Sequence, residues 1–485
     1  MPHSVLSPVV EAFITEVTAA LDAATARLDD VDRSHFRSDV TTEAFNLVAA
    51  VVDADDRHSD EEMEALSSTF GPLLPDSGIT SGSPQSLRNR SLVAGAASWL
   101  DADSELFGLL LDADVRNDRA GAPSRYSGIY YDHALDIAHV VASLDVLPST
   151  ETLGAISRLR NRLLSRITAV LPDAARAPLH PGDANGSADG PNAGGSDGLP
   201  PPRPLEDLLA ELDELVGLAE VKARVRLVAD LLVVQNLRRE RSLPTMEISH
   251  HLVFTGNPGT GKTTVARLLA QIYRTLGVVT RGHLVETDRS ELVAGYVGQT
   301  APRVTAKFDE ADEGILFIDE AYSLARGGEN DFGREAIDQI VKLMEDRRDR
   351  VVLIVAGYPE EMEEFISANP GLRSRFPTTI EFPDYDDDDL LAIVEKIGAK
   401  TAYRLTPEAR AKFLAELRAI PRDKGFGNAR VARNMFEAAV NRQASRIVKL
   451  SDPDDETLTT LEAVDIAGPD ADPPELAPTE AATGS

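Results

Sequence analysis

Gly256-Asn257-Pro258-Gly259-Thr260-Gly261-Lys262-Thr263 fits the pattern G-x-x-x-x-G-K-T, and its reading decides the fold. A strand-like run, His251–Thr255, leads into it, and a helix-like run, Thr263–Leu276, leads out. Glycines let a backbone wrap closely round an anion, so that several N–H groups point inward. The helix that opens at the end of the loop adds a dipole that favours phosphate. Lys262 then supplies positive charge for the β- and γ-phosphates of a nucleotide, Thr263 a hydroxyl for Mg²⁺, and Thr264 extends the binding stretch. The strand before and the helix after separate this reading from a glycine-rich turn with a chance lysine.

Outward from the loop, the next informative run is Ile315-Leu316-Phe317-Ile318, apolar throughout and ending in Asp319-Glu320. A carboxylate at the C-terminal end of a central strand faces the ligand crevice of a parallel sheet. Asp319 is expected to hold Mg²⁺ through water, and Glu320 to polarise the attacking water as a general base. A third strand-like run covers Val351–Ala356. Strand and helix patterns alternate through 205–383, which predicts an α/β domain with a parallel sheet. After Pro383 the pattern is helical only, so 384–467 reads as a small α-helical lid.

The flanks differ in character. Residues 1–174 show apolar positions at three and four spacing (Val9, Phe13, Val17, Leu21; Phe45, Val48, Val51, Val52), which predicts an all-α bundle. Ser59 and Glu62 form a capping-box pair, and further helices are expected at about Leu87–Leu100, Ser104–Val115, Tyr130–Leu144 and Glu151–Val170. Residues 175–204 are rich in Gly, Pro, Ala and Asp with almost no large apolar side chain, the composition of a flexible linker, and 468–485 reads as a disordered acidic tail.

The 485 residues carry a formal net charge of −31 and no cysteine. The first 200 residues hold 30 acids against 14 bases, residues 201–450 hold 40 against 35, and the last 35 hold 10 acids and no base. The excess therefore lies outside the α/β region, and it argues against nucleic acid as a partner, because phosphate contact needs clustered Lys and Arg. Absent cysteine excludes disulfides, thiolate zinc sites and a cysteine nucleophile. No apolar run approaches the ~20 residues that span a bilayer, and Met1–Ala20 lacks the basic start of a signal peptide, so a cytoplasmic protein without membrane insertion is expected.

The residues from 205 to 450 resemble the AAA+ ATPases, and within them the branch of CbbX, SpoVK and the ATPase half of EccA. The motifs that carry the resemblance are Leu215-Val216-Gly217-Leu218, the phosphate loop, Tyr296-Val297-Gly298, Asp319-Glu320-Ala321-Tyr322, Ala356-Gly357-Tyr358, Asn369 to Phe376 (Asn-Pro-Gly-Leu-Arg-Ser-Arg-Phe) and Gly427-Asn428-Ala429-Arg430. The resemblance implies an AAA+ P-loop NTPase core with a lid, ATP and Mg²⁺ as cofactors, and assembly of the chain with itself, as a hexamer. It implies that Arg375, with Arg373 as the alternative, is a finger that reaches the γ-phosphate of a neighbouring subunit. Arg430 is implied to read the γ-phosphate within its own subunit. Val216 and Gly217 are implied to wall the adenine. Tyr358 stands where many AAA+ proteins place Asn, and a phenol can still position water. Tyr296, Val297 and Gly298 resemble the first pore loop, which grips a polypeptide and points to a protein client.

Residues from Glu43 to Glu62 resemble TerB-like helical domains. The same loop partly imitates a calcium loop at Asp53, Asp55, Ser59, Glu61 and Glu64, but Arg57 takes a ligand position and His58 stands where glycine is needed, so a solvated acidic turn is the simpler reading. Trp99 and Leu106–Leu111 read as core. Two functions are therefore open: an ATP-driven machine that remodels or assembles a protein client, and an ATP-gated scaffold or chaperone for a secretion or stress-response complex.

Overall fold

The computed structural model describes residues 5–26, 28, 31–75, 79, 84–89, 93–171, 200–296, 298–326, 332–448, 450 and 453–468. Most of the expected linker, the tail beyond 468 and Val297 lie outside the described residues. The chain divides into two compact units, one of residues 1–210 with 223–248, the other of 211–222 with 249–485.

The first unit is helical: α1 (Ser7–Thr25), α2 (Phe36–Val52), α3 (Asp60–Leu73), α4 (Pro84–Asn89), α5 (Glu105–Arg119), α6 (Tyr126–Ala142) and α7 (Thr150–Val170), with most of α8 (Leu205–Asp213) and α9 (Ala219–Glu240). Its core runs through Val10, Phe13, Val17, Val48, Phe107, Tyr130 and Leu159, all at most 1 % exposed, and takes in Val234 of α9. The expected capping box is present: Ser59 Oγ accepts from Glu62 N while Glu62 Oε2 accepts from Ser59 N. Leu87–Leu100 is not one helix. α4 stops at Asn89, Gly95 takes a left-handed φ of 80°, and a 3-10 turn follows at Ala96–Asp101. α6 starts four residues before the expected Tyr130 because buried Asp114 of α5 caps it from a distance, accepting from Tyr126 N and Ser127 N at 2.9 and 2.8 Å.

The expectation that 205–383 belongs to one α/β subdomain needs correction at its start. Residues 205–210 and 223–248 pack with the N-terminal helices. Val234 of α9 joins their apolar core and Leu227, Leu231 and Leu237 pack against it. A buried ionic cluster fixes the pairing: Asp230 of α9, fully buried, accepts from Arg160 Nη1 of α7 at 2.6 Å and from Ser157 Oγ at 3.0 Å, and lies 3.3 Å from His139 Nε2 of α6. Burial opposes ionisation of Asp230, but Arg160 and His139 outweigh it and hold the carboxyl below its usual range. Tyr131 Oη donates to Glu206 Oε2 of α8 at 2.8 Å.

The second unit holds a five-stranded, all-parallel sheet of order β2-β3-β4-β1-β5, where β1 is Leu252–Thr255, β2 Leu284–Thr287, β3 Gly314–Ile318, β4 Val351–Gly357 and β5 Thr378–Glu381. The three central strands are buried along their whole length, which is why they read as unbroken apolar runs rather than alternating ones. Helices α10 (Lys262–Thr275), α11 (Arg289–Leu292), α12 (Thr300–Glu310), α13 (Gly333–Asp346), α14 (Pro359–Ala368) and α15 (Pro370–Arg375) surround the sheet. The lid contains α16 (Asp387–Lys400), α17 (Pro407–Ala419), α18 (Ala429–Ile447) and α19 (Asp455–Thr459). It is not helical only: two-residue strands β6 (Arg404–Leu405) and β7 (Thr460–Leu461) pair in parallel.

Candidate nucleotide site

Parallel pairing places three strand ends side by side. Thr255 of β1 aligns with Gly357 of β4, and Ile318 of β3 with Val355 of β4, so the phosphate loop, Asp319-Glu320 and Tyr358 all emerge at one edge of the sheet. A ligand crevice outside the carboxyl ends of the strands is the expected result of that topology. A cleft of about 600 Å³ opens there. It is lined by Gly256, Pro258, Gly259, Gly261, Lys262, Thr263 and Thr264 from the loop, Asp319, Glu320 and Tyr358 from the strand ends, Val216 from the segment before α9, and Arg430 from the lid.

Glycine is required where the loop is tightest. Gly256 has φ +146°, and a Cβ there would lie 2.3 Å from the Phe382 carbonyl oxygen. Inside the loop Lys262 Nζ donates to the Gly256 and Asn257 carbonyls, both at 2.8 Å. Burial lowers its pKa from the ordinary lysine value, while the Asp319 carboxylate pulls the other way. The N-termini of α10 and α18 both open onto the cleft, through Lys262 and through Ala429 and Arg430, so two positive dipole ends face one cavity. The site is therefore built for a polyanion.

Asp319 and Glu320 are exposed to the cleft. Asp319 Oδ1 accepts from Glu320 N at 3.0 Å, and Glu320 sits in the left-handed region at φ 47°, a strain of order 1–2 kcal/mol for a non-glycine residue. Tyr358 packs its ring 6.0 Å from that of Tyr322 and carries Lys424 Nζ 5.8 Å from its centre.

Several expected residues lie elsewhere. Asn257 and Thr260 belong to the loop but do not line the cleft: the Thr260 hydroxyl donates to the Asn257 carbonyl at 2.9 Å, and the Asn257 side chain donates to both oxygens of Asp384. Gly217 backs the wall rather than lining it, and a Cβ there would meet Asp389 Oδ2 at 2.6 Å. Arg375 is outside the cleft, with Nη2 on Glu345 Oε2 at 2.8 Å and Nη1 on the Gly371 carbonyl at 3.2 Å; Arg373 is exposed. Tyr296, 74 % exposed, and Gly298 lie on the loop between α11 and α12. Among the described residues no group of three or more His, Cys, Asp or Glu is arranged to hold a metal ion, and the acidic loop follows suit: Asp53 is engaged by His58 Nε2 and Ala97 N, both at 3.1 Å.

Sequence reasoning missed the far wall. Leu215, Leu218, Tyr385, Ile393, Lys396, Ile397, Lys400 and Arg433 line it. Ile393, Lys396, Ile397 and Lys400 recur at helical spacing on α16, a signal present in the sequence, but only packing shows which face of that helix meets the cleft. Tyr385 is pushed up to about 12, chiefly by burial and then by Asp389, and stays a neutral phenol.

This fold and cleft define a nucleoside-triphosphatase with a helical lid. Residues 252–384 match the ATPase family associated with various cellular activities (AAA), and 386–475 match the AAA lid domain. The chain is 42 % identical over 247 residues to stage V sporulation protein K of Bacillus subtilis, covering 50 % of this chain and 77 % of that one. It is 46 % identical over 266 residues to the plasmid protein CbxX of Cupriavidus necator (54 % and 84 % covered) and 43 % identical over 265 residues to protein CbbX of Cereibacter sphaeroides (54 % and 86 %). The chain belongs to the AAA ATPases, in the branch that contains CbbX and stage V sporulation protein K, and it hydrolyses ATP. Among the described residues no helix is long and apolar enough to cross a membrane.

Proposed function

We propose that this ATPase works as a hexameric ring of its own copies that remodels or assembles a protein client. The observation that carries the reading is Tyr296: a large aromatic, 74 % exposed, on a loop where Gly298 has φ +77° and open space around it. A solvent-exposed aromatic beside such a glycine suits a grip on polypeptide rather than packing.

The roles implied by the sequence and the family resemblance are supported by where these residues lie. Lys262 and the loop amides hold the β- and γ-phosphates, and Val216 walls the adenine with Gly217 behind it. Thr263 and Asp319 share the cleft and fit Mg²⁺, which takes few protein ligands and keeps water; bound there, the ion neutralises phosphate charge. Glu320 takes a proton from the attacking water as its oxygen bonds to the γ-phosphorus and the bond to the β-phosphate oxygen breaks. Tyr358 orients that water, and Arg430 contacts the γ-phosphate within the subunit. Arg375, remote from its own cleft, serves the neighbour's, with Arg373 as the alternative; an arginine supplied in trans makes turnover depend on assembly.

The test uses Glu320→Gln with ATP, which should lock the ring. Light scattering counts its subunits, and co-purification reports what it holds. Adding Tyr296→Ala should leave the ring intact and release the client. An unchanged set of captured proteins would refute the pore reading and favour an ATP-gated scaffold.

A further inference from the structure

Asn428 stands at the N-cap of α18, two residues before Arg430, and three things about it do not fit an ordinary cap. Its backbone is at φ 45°, ψ −126°, a conformation that favours glycine. Its side chain makes no capping bond to its own helix, although asparagine is among the best residues for that task. It is fully buried. The amide is used on other parts of the domain instead. Nδ2 donates to Asp384 Oδ1 at 2.8 Å, to the Phe426 carbonyl at 3.1 Å and to the Pro258 carbonyl at 3.3 Å, while Oδ1 accepts from Tyr385 N at 3.0 Å. Asp384 is shared: its two oxygens also accept from Asn257 Nδ2 at 2.9 and 3.0 Å. The amide oxygen of Asn257 in turn accepts from Gly425 N at 3.3 Å. Backbone closes the circuit, because the Gly259 carbonyl accepts from Ala429 N at 3.2 Å. The phosphate loop itself thus satisfies a first-turn donor of the lid helix that carries Arg430.

We propose that Asn257, Asp384 and Asn428 form a latch that joins the phosphate loop to the start of α18 and so sets the position of Arg430 over the γ-phosphate. All three are positioning residues; none needs to touch the nucleotide. A strained backbone is retained at 428 because glycine, which would relax it, has no amide to give. The same latch makes the lid sensitive to the loop: any shift of Asn257 or Pro258 on nucleotide exchange moves the acceptors on which Asn428 depends. The inference rests on reading Arg430 as the γ-phosphate contact.

Asn428→Gly tests it without distorting the chain, since glycine accepts φ 45° freely. The melting temperature should fall by no more than about 5 °C, because relief of the strained backbone offsets much of the cost of the hydrogen bonds lost at Asp384, Tyr385 and Phe426. ATP turnover should fall at least tenfold, and ADP affinity should change less than threefold. In a Glu320→Gln background ATP affinity should weaken at least fivefold. Unchanged turnover, or a large fall in melting temperature with both nucleotides weakened alike, would overturn the latch. Exchange of partners gives a second check. Asp384→Asn and Asn257→Asp should each cost tenfold in turnover, the first by turning one of the two oxygens that accept from Asn257 Nδ2 into a donor and removing the charge, the second by setting two carboxylates together. The double variant restores donor to acceptor and should return to within threefold of the parent; a double no better than its worse single would also overturn the proposal. Arg430→Ala separates the two layers: full turnover there would remove both the reading of Arg430 and the latch, whereas a loss there with none in Asn428→Gly would remove the latch alone.

Discussion

Replacing Gly259 by alanine should uncouple the lid from the phosphate loop, and close backbone packing around it sets the size of the effect. Gly259 has φ +73°, and an added Cβ would stand 2.2 Å from the Gly427 carbonyl oxygen and 3.0 Å from Arg430 N. Carbon and oxygen approach to about 3.3 Å at closest, so the start of α18 must retreat by roughly 1 Å. Both obstacles are backbone, so no flexible side-chain end can swing away. A displacement of that size at a reacting centre costs on the order of 10²-fold in rate, or about 2.7 kcal/mol of transition-state stabilisation. The left-handed backbone adds about 1–2 kcal/mol of strain to the fold. Gly277 isolates the second cost: its φ is +71°, and nothing lies within 4 Å of its added Cβ. Both variants should melt about 2–8 °C lower for the nucleotide-binding unit by calorimetry. Only Gly259→Ala should lose about 100-fold in steady-state ATP turnover, with ADP affinity close to the parent. Equal turnover in the two variants would refute the argument that the lid is held against the loop by close backbone packing.

Three further outcomes are open to measurement. Arg375→Ala should bind ATP but turn it over slowly, and mixing it with Lys262→Ala subunits should recover activity that neither has alone; a mixture no more active than its parts would rule out an arginine acting between subunits, and the same mixture with Arg373→Ala decides which arginine acts. Asp230→Asn leaves buried Arg160 with only the longer, 4.0 Å contact to Glu206 and should destabilise the helical unit by about 3 kcal/mol in a denaturant titration, against less than 1 kcal/mol if the pair is dispensable. The two units should respond oppositely to acid. His251 is held down at about 4 by burial, then by His250 and Arg375, so the unfolded chain takes up a proton below about 6.5 that the folded one refuses, and the nucleotide-binding unit loses up to about 3 kcal/mol between pH 6.5 and 4. Glu62 is raised to about 7, chiefly by burial, so its favourable term is full below the unfolded value near 4.5 and is lost as the pH rises through 7. Calorimetry from pH 7 to 4.5 should show Glu62→Gln flattening the helical transition and His251→Gln flattening the other; parallel slopes untouched by either variant would contradict the assignment.

Much of the nucleotide cleft was legible because its chemistry is local. Lys262, Thr263, Asp319 and Glu320 follow directly on the apolar runs that become β1 and β3, and a central parallel strand, buried on both faces, has little freedom in composition. Helix existence was legible for the same reason, through apolar spacing. Boundaries were not. The start of α6 depends on Asp114, twelve residues upstream, and the place of α9 depends on Arg160, seventy residues away, so neither could be read from a local window. The second wall of the cleft was hidden in the same way, since α16 shows a helical pattern whose cleft-facing stripe looks like any other amphipathic face.

The sequence alone therefore determined the chemistry at the strand ends: which residues can cradle phosphate, carry charge to it and activate water, since these demands fall on consecutive positions with a fixed order. Tertiary structure decided which of those groups meet. It turned Asn257 away from the cleft toward Asp384, an acceptor it shares with Asn428, set Arg375 on Glu345 outside the cavity, and drew 223–248 into the helical unit. The physical reason is that a hydrogen-bonding or charged group pairs wherever the folded chain provides a partner, under compulsion where it is buried, as Asp230 is, and by proximity where it is partly exposed, as Asn257 and Arg375 are; that partner lies at a distance along the sequence that no motif records.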